Sequence, residues 1–451
     1  MVRLSYRDDI APLLTLGLPL VGSAVASFLI HMTDTIMLGW YDVSALAASV
    51  LANSLWFLIF IMGAGFGFAV MPIVAAASAS GDDTRARRTT RMAFWLSLIF
   101  FAVSFPLNWW SGAVFGLMGQ EPALAEAGQG YLRITAWAMA PALLMAVLRS
   151  YLSALKLTTI LLVVTLVGVV LNAIINYALI FGNWGFPELG LTGAALATVI
   201  GNLVALLVLA IYAQVKRPDY NLYQRLWKPD WEAFHQVRRI GLPIGLTQLA
   251  ESALFSASTI MVGWIGEIEL AAHGIALQLT ALTFMFHVGM SQSATIRAGE
   301  AFGRKSEVEL RRVGFAAIYV GVAFGVVVIS MFLIWPGFFV GLFIDPAEPQ
   351  RATLLEVGIV LLMLSTLFQF VDSGQIIANA LLRGVQDTRI PMWIATFSYW
   401  IVGVPAGYVL AFVVGLQENG IWLGLTVGLA TATGLLMWRF WGRSVRISSA
   451  A

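Results

Sequence analysis

Three observations predict an all-α integral membrane protein of twelve transmembrane helices, arranged as two parallel-repeat six-helix lobes. The 451 residues are 59% hydrophobic and only 11% charged, with a mean hydropathy of +0.85, whereas soluble domains carry about 25% charged residues. The apolar residues gather into stretches of the ~20 residues that a bilayer crossing needs. The second half of the chain also repeats the first. A sandwich or barrel would show many short alternating segments instead. The sequence contains no cysteine, which excludes disulfides, thiolate metal sites and thiol catalysis.

The twelve spans lie near residues 12–40, 46–78, 92–115, 130–153, 157–182, 191–215, 239–265, 270–297, 313–342, 355–382, 391–414 and 419–441. Several exceed what ~30 Å of hydrocarbon requires, so tilted or protruding helices are expected. The first span carries an acid and no small-residue cleavage site follows it, so it is expected to stay in the protein. With an even number of spans both termini share one side. That side receives every one of the 26 Lys and Arg residues, from Arg3 to Arg446, except Arg133 and Arg351. By the positive-inside rule the termini are cytoplasmic. Trp109, Trp110, Trp184, Trp335 and Trp422 near the outer ends, and Trp95, Trp393, Trp438 and Trp441 near the inner ones, fit interfacial belts.

A shift of 224 residues lays Gly17-Leu18-Pro19 on Gly241-Leu242-Pro243, and Thr35-Ile36-Met37 on Thr259-Ile260-Met261. It continues without a gap through Gly39-Trp40 on Gly263-Trp264, Gly65 on Gly289, and Arg87-Arg88 on Arg311-Arg312. Six helices separate equivalent points, and six is even, so the halves share one orientation about an axis along the membrane normal. The lobes predicted are residues 1–215 and 239–451, joined by a cytoplasmic linker at 216–238.

Carboxylates deep in apolar spans cost roughly 2.5 to 3.5 kcal/mol on insertion scales, so they normally face a cavity. Of the 24 acids, Asp34, Glu251 and Asp372 sit well inside spans, and no basic residue in the middle of any span offers them an ion pair. Under the 224-residue shift Glu251 falls on Ser27, seven residues before Asp34. Seven residues is nearly two turns, so each lobe aims an acid along one face of its first helix at a different depth. Asn172 and Asn176 are one turn apart in the fifth span, where Thr192, Thr198 and Asn202 of the sixth can join them. Such oxygens suit a hard monovalent cation, and equally a protonated acid. Gln369, Asp372, Gln375 and Asn379 recur at helical spacing as a polar stripe that should line a cavity. His31 stands three residues before Asp34 and His287 is in mid-span, whereas His235 and His273 read as surface residues. Asp345 and Asp387 lie in loops, as turn or cap residues. No Walker sequence, His-Glu-x-x-His or Gly-x-Ser-x-Gly is present, so no enzyme is expected, and transport energy would come from an ion gradient.

The chain resembles the multidrug and toxic compound extrusion (MATE) family, particularly its bacterial NorM-like branch, over essentially its whole length. The resemblance rests on Met32-Thr33-Asp34-Thr35-Ile36-Met37-Leu38-Gly39, on Glu251 after Gly241-Leu242-Pro243, and on Val371-Asp372 followed by Leu382-Arg383-Gly384-Val385-Gln386-Asp387-Thr388. It implies a V-shaped pair of bundles around a central cleft. It also implies export of cationic or amphipathic compounds in exchange for protons or sodium, by alternating access, across a bacterial plasma membrane. By the same resemblance Asp34, Asn172, Asn176 and Thr198 match the family's cation or proton site of the amino-terminal lobe, and Glu251 and Asp372 the carboxylates of the other lobe. Sodium, if it is the coupling ion, would be held by these same six residues. Gln248, Gln278, His287, Phe368, Gln369, Gln375 and Asn379 are assigned to the substrate cleft. No cofactor and no nucleic acid is expected, the partners are drugs and the bilayer, and a monomer contains the whole path. Two departures stand out: Phe368 where relatives can carry tyrosine, and Asn176 where some members have aspartate. The rival reading is a lipid-linked oligosaccharide flippase of the same superfamily, whose pyrophosphate cargo calls for Arg or Lys in mid-span.

Overall fold

The computed structural model describes residues 7–447; Arg3, counted above with the basic termini, lies outside them. No strand occurs among the described residues. The helices run in order α1 (Arg7–Tyr41), α2 (Val43–Ala79), α3 (Asp83–Trp109), the short α4 (Ser111–Leu117), α5 (Pro122–Ala154), α6 (Thr159–Phe181) and α7 (Gly190–Lys216). After a connection they resume as α8 (Trp231–Gly263), α9 (Glu267–Gly303), α10 (Glu307–Ile334), the short α11 (Pro336–Gly341) and α12 (Arg351–Gly384). The next crossing, Arg389–Val413, consists of α13 (Arg389–Phe397) and α14 (Val404–Tyr408) with π-helical turns at Ser398–Gly403 and Val409–Val413; α15 (Gln417–Arg439) follows.

Eleven described helices are long and apolar enough to cross a membrane, and the protein is a multi-pass membrane protein. The twelfth predicted span, 239–265, falls in α8, one continuous helix of 33 residues. Its Gln248, Glu251, Ser252, Ser256 and Ser258 dilute the apolar content. Polar side chains also set the helix boundaries. Asp42 breaks between α1 and α2 and accepts from the Ala45 amide at 2.8 Å, and Asp82 does the same for Arg85 at 2.9 Å before α3.

The chain forms two compact units. One is Gly22–Leu246, called here the first unit; the second unit combines Met1–Val21 with Thr247–Ala451. The divisions between these units fall inside α1 and α8, and the repeated glycines give the physical reason. In the first unit α8 begins against α2, and a Cβ on Gly65 would stand 2.5 Å from the Gly241 carbonyl oxygen. In the second unit the matching contact is that of Gly289 on α9 with the Val21 backbone of α1. Only glycine permits helix backbones to approach so closely. Gly65, Gly289 and Gly241 therefore recur because each half makes the same close contact.

The connection 217–230 is tied to α3 within the first unit. Arg91 donates through Nε to the Leu222 carbonyl at 3.2 Å, Trp95 Nε1 to that of Leu226 at 2.8 Å, and Arg88 pairs with Asp230. Asp387, read as a turn residue, accepts from Arg439 at 2.7 and 3.1 Å and from Ser444 at 2.7 Å. Trp422 and His273 are corrections to the sequence reading. Neither reaches the surface: Trp422 donates through Nε1 to His273 Nδ1 at 3.1 Å, and both are fully buried. A Trp–His pair satisfies its polar atoms internally, so its position near a helix end says nothing about exposure.

Candidate functional site

In the first unit α1 presents Asp34 to α6. Four residues separate Asn172 from Asn176, so both amides lie on one helix face. Their Nδ2 atoms donate to Asp34 Oδ1 at 3.0 and 2.5 Å, and Asn176 Nδ2 also approaches Asn172 Oδ1 at 3.2 Å. Both asparagines are buried, and Asn176 Oδ1 has no partner among the described residues. Thr198 does not reach Asp34. Its Oγ1 donates to the Ala194 carbonyl at 3.1 Å, and the Thr198 carbonyl accepts from Asn202 at 2.9 Å. Tyr131 of α5 is buried beside Asn53 and Thr198 and lies close enough to feel the Asp34 charge. His31, exposed one turn before Asp34, is its nearest titratable neighbour on α1.

In the second unit the polar stripe of α12 faces inward as predicted: Gln369, Asp372, Gln375 and Asn379 are all buried. Asp372 lies within electrostatic reach of Glu251 on α8. Arg383, from the last turn of α12, adds a guanidinium within electrostatic reach of Glu251, though no ion pair joins them among the described residues. Tyr399 joins the same cluster from the first π-helical turn. It feels Glu251, Asp372 and Arg383, and its hydroxyl accepts from Gln375 Nε2 at 2.5 Å. Asp372 Oδ1, Gln375 Oε1, Gln369 Nε2 and Gln248 Oε1 are buried without partners among the described residues.

The remaining residues assigned to a cleft divide. Thr283 donates to Gln369 Oε1 at 2.7 Å, which fixes that amide. Gln278 is exposed on α9, away from the cluster in the sense that no side-chain hydrogen bond links it there among the described residues. His287 is 3% exposed with its ring edge-on to Phe324 at 5.4 Å. Phe368 is 1% exposed between Phe255 and Trp422, at ring distances of 5.9 and 5.5 Å. Phe368 thus packs between two aromatic rings. A second basic side chain also stands inside a span: Arg149 of α5 donates to Ser23 Oγ at 2.7 Å.

The family model MatE matches residues 19–178 and 243–409. The chain belongs to the MatE family. In this MatE chain each matched stretch begins at the proline of the repeated Gly-Leu-Pro; the first contains Asp34 and both asparagines, the second Glu251, Asp372, Arg383 and Tyr399. A "Probable multidrug resistance protein NorM" of Rhizobium meliloti (strain 1021) is 41% identical over 97% of this chain and 94% of its own length. Its namesake in Agrobacterium fabrum (strain C58 / ATCC 33970) is 39% identical, also over 97% of this chain and 94% of its own length. Among solved structures, one described as the outward-facing conformation of a multidrug resistance MATE family transporter of the MOP superfamily superposes with a TM-score of 0.88. It covers 98% of this chain and 96% of that one at 22% identity, a likeness of fold.

Proposed function

We propose that this MatE-family chain is a multidrug efflux antiporter that exports cationic or amphipathic compounds in exchange for protons or sodium by alternating access. The proposal rests on its family membership and on the names of its NorM relatives, and one observation carries the coupling: Asp34 is a membrane-embedded carboxylate held by two neutral amides. Both amides address Oδ1, which leaves Oδ2 to take a proton or a monovalent cation. The unpartnered Asn176 Oδ1 can turn toward an ion or accept from a protonated acid. Thr198 belongs to the same site in this reading. Glu251 and Asp372 form the second titrating group, with Arg383 offsetting one of their two charges. If ion and drug oppose each other's binding, thermodynamic linkage drives export from the ion gradient. No cofactor is needed, and a monomer holds both groups.

We place the protein in a bacterial inner membrane with the basic face and both termini in the cytoplasm, and read the 1–215 and 239–451 halves as the two transport lobes. The second reading, a lipid-linked oligosaccharide flippase, has in its favour Arg149, a guanidinium five residues from the end of α5 that hydroxyls alone contact among the described residues. Proteoliposomes separate the two. A fluorescent lipophilic cation should move uphill under an imposed pH or sodium gradient, and the gradient that works names the ion. Movement of a pyrophosphate-linked lipid with no movement of the cation would favour the flippase.

A further inference from the structure

We infer that a basic pocket between the start of α3 and the segment before α8 binds the phosphate headgroup of an anionic phospholipid. The cavity measures about 460 Å³, and its wall carries Arg87, Arg88 and Arg91 from α3 and Arg225, Lys228 and Asp230 from the connection. Five cations thus face one carboxylate. Asp230 is already engaged, since Arg88 Nη2 donates to its Oδ1 at 3.0 Å and Arg88 Nε to its other oxygen. Arg87, Arg91, Arg225 and Lys228 have no carboxylate partner among the described residues. Arg91 is 8% exposed; Arg87 and Arg225 stand close enough to repel it, with Asp230 the one charge that attracts it. Arg87 Nε is buried with no hydrogen-bond partner at all among the described residues. Like charges concentrated at partly desolvated positions are unfavourable unless an anion enters among them.

The other half of the repeat shows the alternative. Arg87 and Arg88 correspond to Arg311 and Arg312, which pair with Glu307 at 2.8 Å and with Asp9 at 2.7 Å. There the cations are neutralised from within the protein. In the first unit Arg88 is likewise paired, with Asp230 and with Glu232 at 2.9 Å, but Arg87, the counterpart of the paired Arg311, is left beside the cavity with its Nε unpartnered among the described residues, a difference that crowding of basic residues at one membrane face does not explain.

The pocket also lies at headgroup level. Trp227 and Trp231 adjoin the lining residues Lys228 and Asp230 in the chain, and Trp95, one turn after Met92, donates to Leu226; all three are between 43% and 77% exposed, and indoles in this condition settle at the membrane–water boundary. Met92 contributes an apolar wall on the side leading along α3. Arginines at such a boundary hold a phosphodiester by paired N–H···O bonds, and basic pockets between helices are a recurrent mode of anionic lipid recognition.

The test is native mass spectrometry of the full-length protein with phosphatidylglycerol, phosphatidylcholine or inorganic phosphate added in turn. Wild type should retain phosphatidylglycerol in preference to phosphatidylcholine, with inorganic phosphate at millimolar concentration failing to displace it. The R87Q/R225Q/K228Q variant should lose that retention by about tenfold or more, while R87K/R225K keeps it. Equal retention of the two lipids, displacement by inorganic phosphate, or undiminished retention by the neutralised variant would each overturn the proposal. The wild-type comparison decides even if a variant folds poorly, and none of it depends on the transport reading.

Discussion

The two units solve one electrostatic problem in different ways. In the first, a single carboxylate is stabilised by neutral donors, Asn172 and Asn176, and no cation touches it among the described residues. In the second, two carboxylates share their surroundings with a guanidinium and a phenol, Arg383 and Tyr399. A repeat that conserves its glycine contacts while changing its polar residues keeps one scaffold and separates two chemistries. An acid held by neutral amides can change its charge state without breaking an ion pair. An acid facing a fixed cation loses more when it is neutralised, because the cation is left unpaired. Asp34 is accordingly the exchange site we propose, and Glu251 and Asp372 a second titrating group.

The strongest way to break this comparison is Asp34→Asn, which should reduce gradient-driven efflux in proteoliposomes by two orders of magnitude or more, about the scale of losing one essential proton carrier, while the purified protein keeps its melting temperature. Equal activity would remove the distinction between the units. Glu251→Gln and Asp372→Asn should follow with losses of about tenfold. Next comes Arg383→Gln, which removes the guanidinium within electrostatic reach of Glu251 and should cost about 1 kcal/mol, seen as a fall in the thermal midpoint in detergent. The double variant Arg383→Gln/Glu251→Gln should recover part of that loss, and an Arg383 of purely packing value would show no recovery. Asn176→Ala removes one of two donors to Asp34, with an expected cost of about 1 kcal/mol and a change in the pH dependence of transport larger than its change in maximal rate.

The smallest effect lies outside the spans. Arg88 holds the Asp230 carboxyl below its ordinary value of 3.8, chiefly through their hydrogen bond. A depressed folded value means that the stabilisation is present above pH 3.8 and is lost as the pH falls through the folded value. With Arg88 41% exposed, water screens the pair, so the contribution should be under about 1 kcal/mol. An acid titration of the melting temperature should show it as a steeper fall for wild type than for Asp230→Asn.

The sequence already displayed the helix order, the repeat and the three acids, because apolar length and the cost of burying charge act locally. It also placed Asn172 and Asn176 on one face, as the Asp34 bonds require. Tyr399 was not legible. It is aimed by a π-helical turn, and a period of 3.6 does not report the added residue. Arg383 looked like one more basic residue at a helix end, and only tertiary packing brings it near Glu251. His273 and Trp422 were misplaced for the converse reason, since each satisfies the other out of contact with the surface. The divisions within α1 and α8 were unreadable because hydropathy does not break where a helix changes neighbours; the close-packed glycines were the available sign.

The central claim is that Asp34 exchanges its ion for drug. Its most direct test is the release of protons or sodium when a lipophilic cation is added to purified protein in weakly buffered solution, for wild type and Asp34→Asn side by side. The account predicts stoichiometric release from wild type and none from Asp34→Asn, with drug binding retained by both. Undiminished release from Asp34→Asn, and its disappearance in Asp372→Asn instead, would move the exchange site to the second unit and contradict the account.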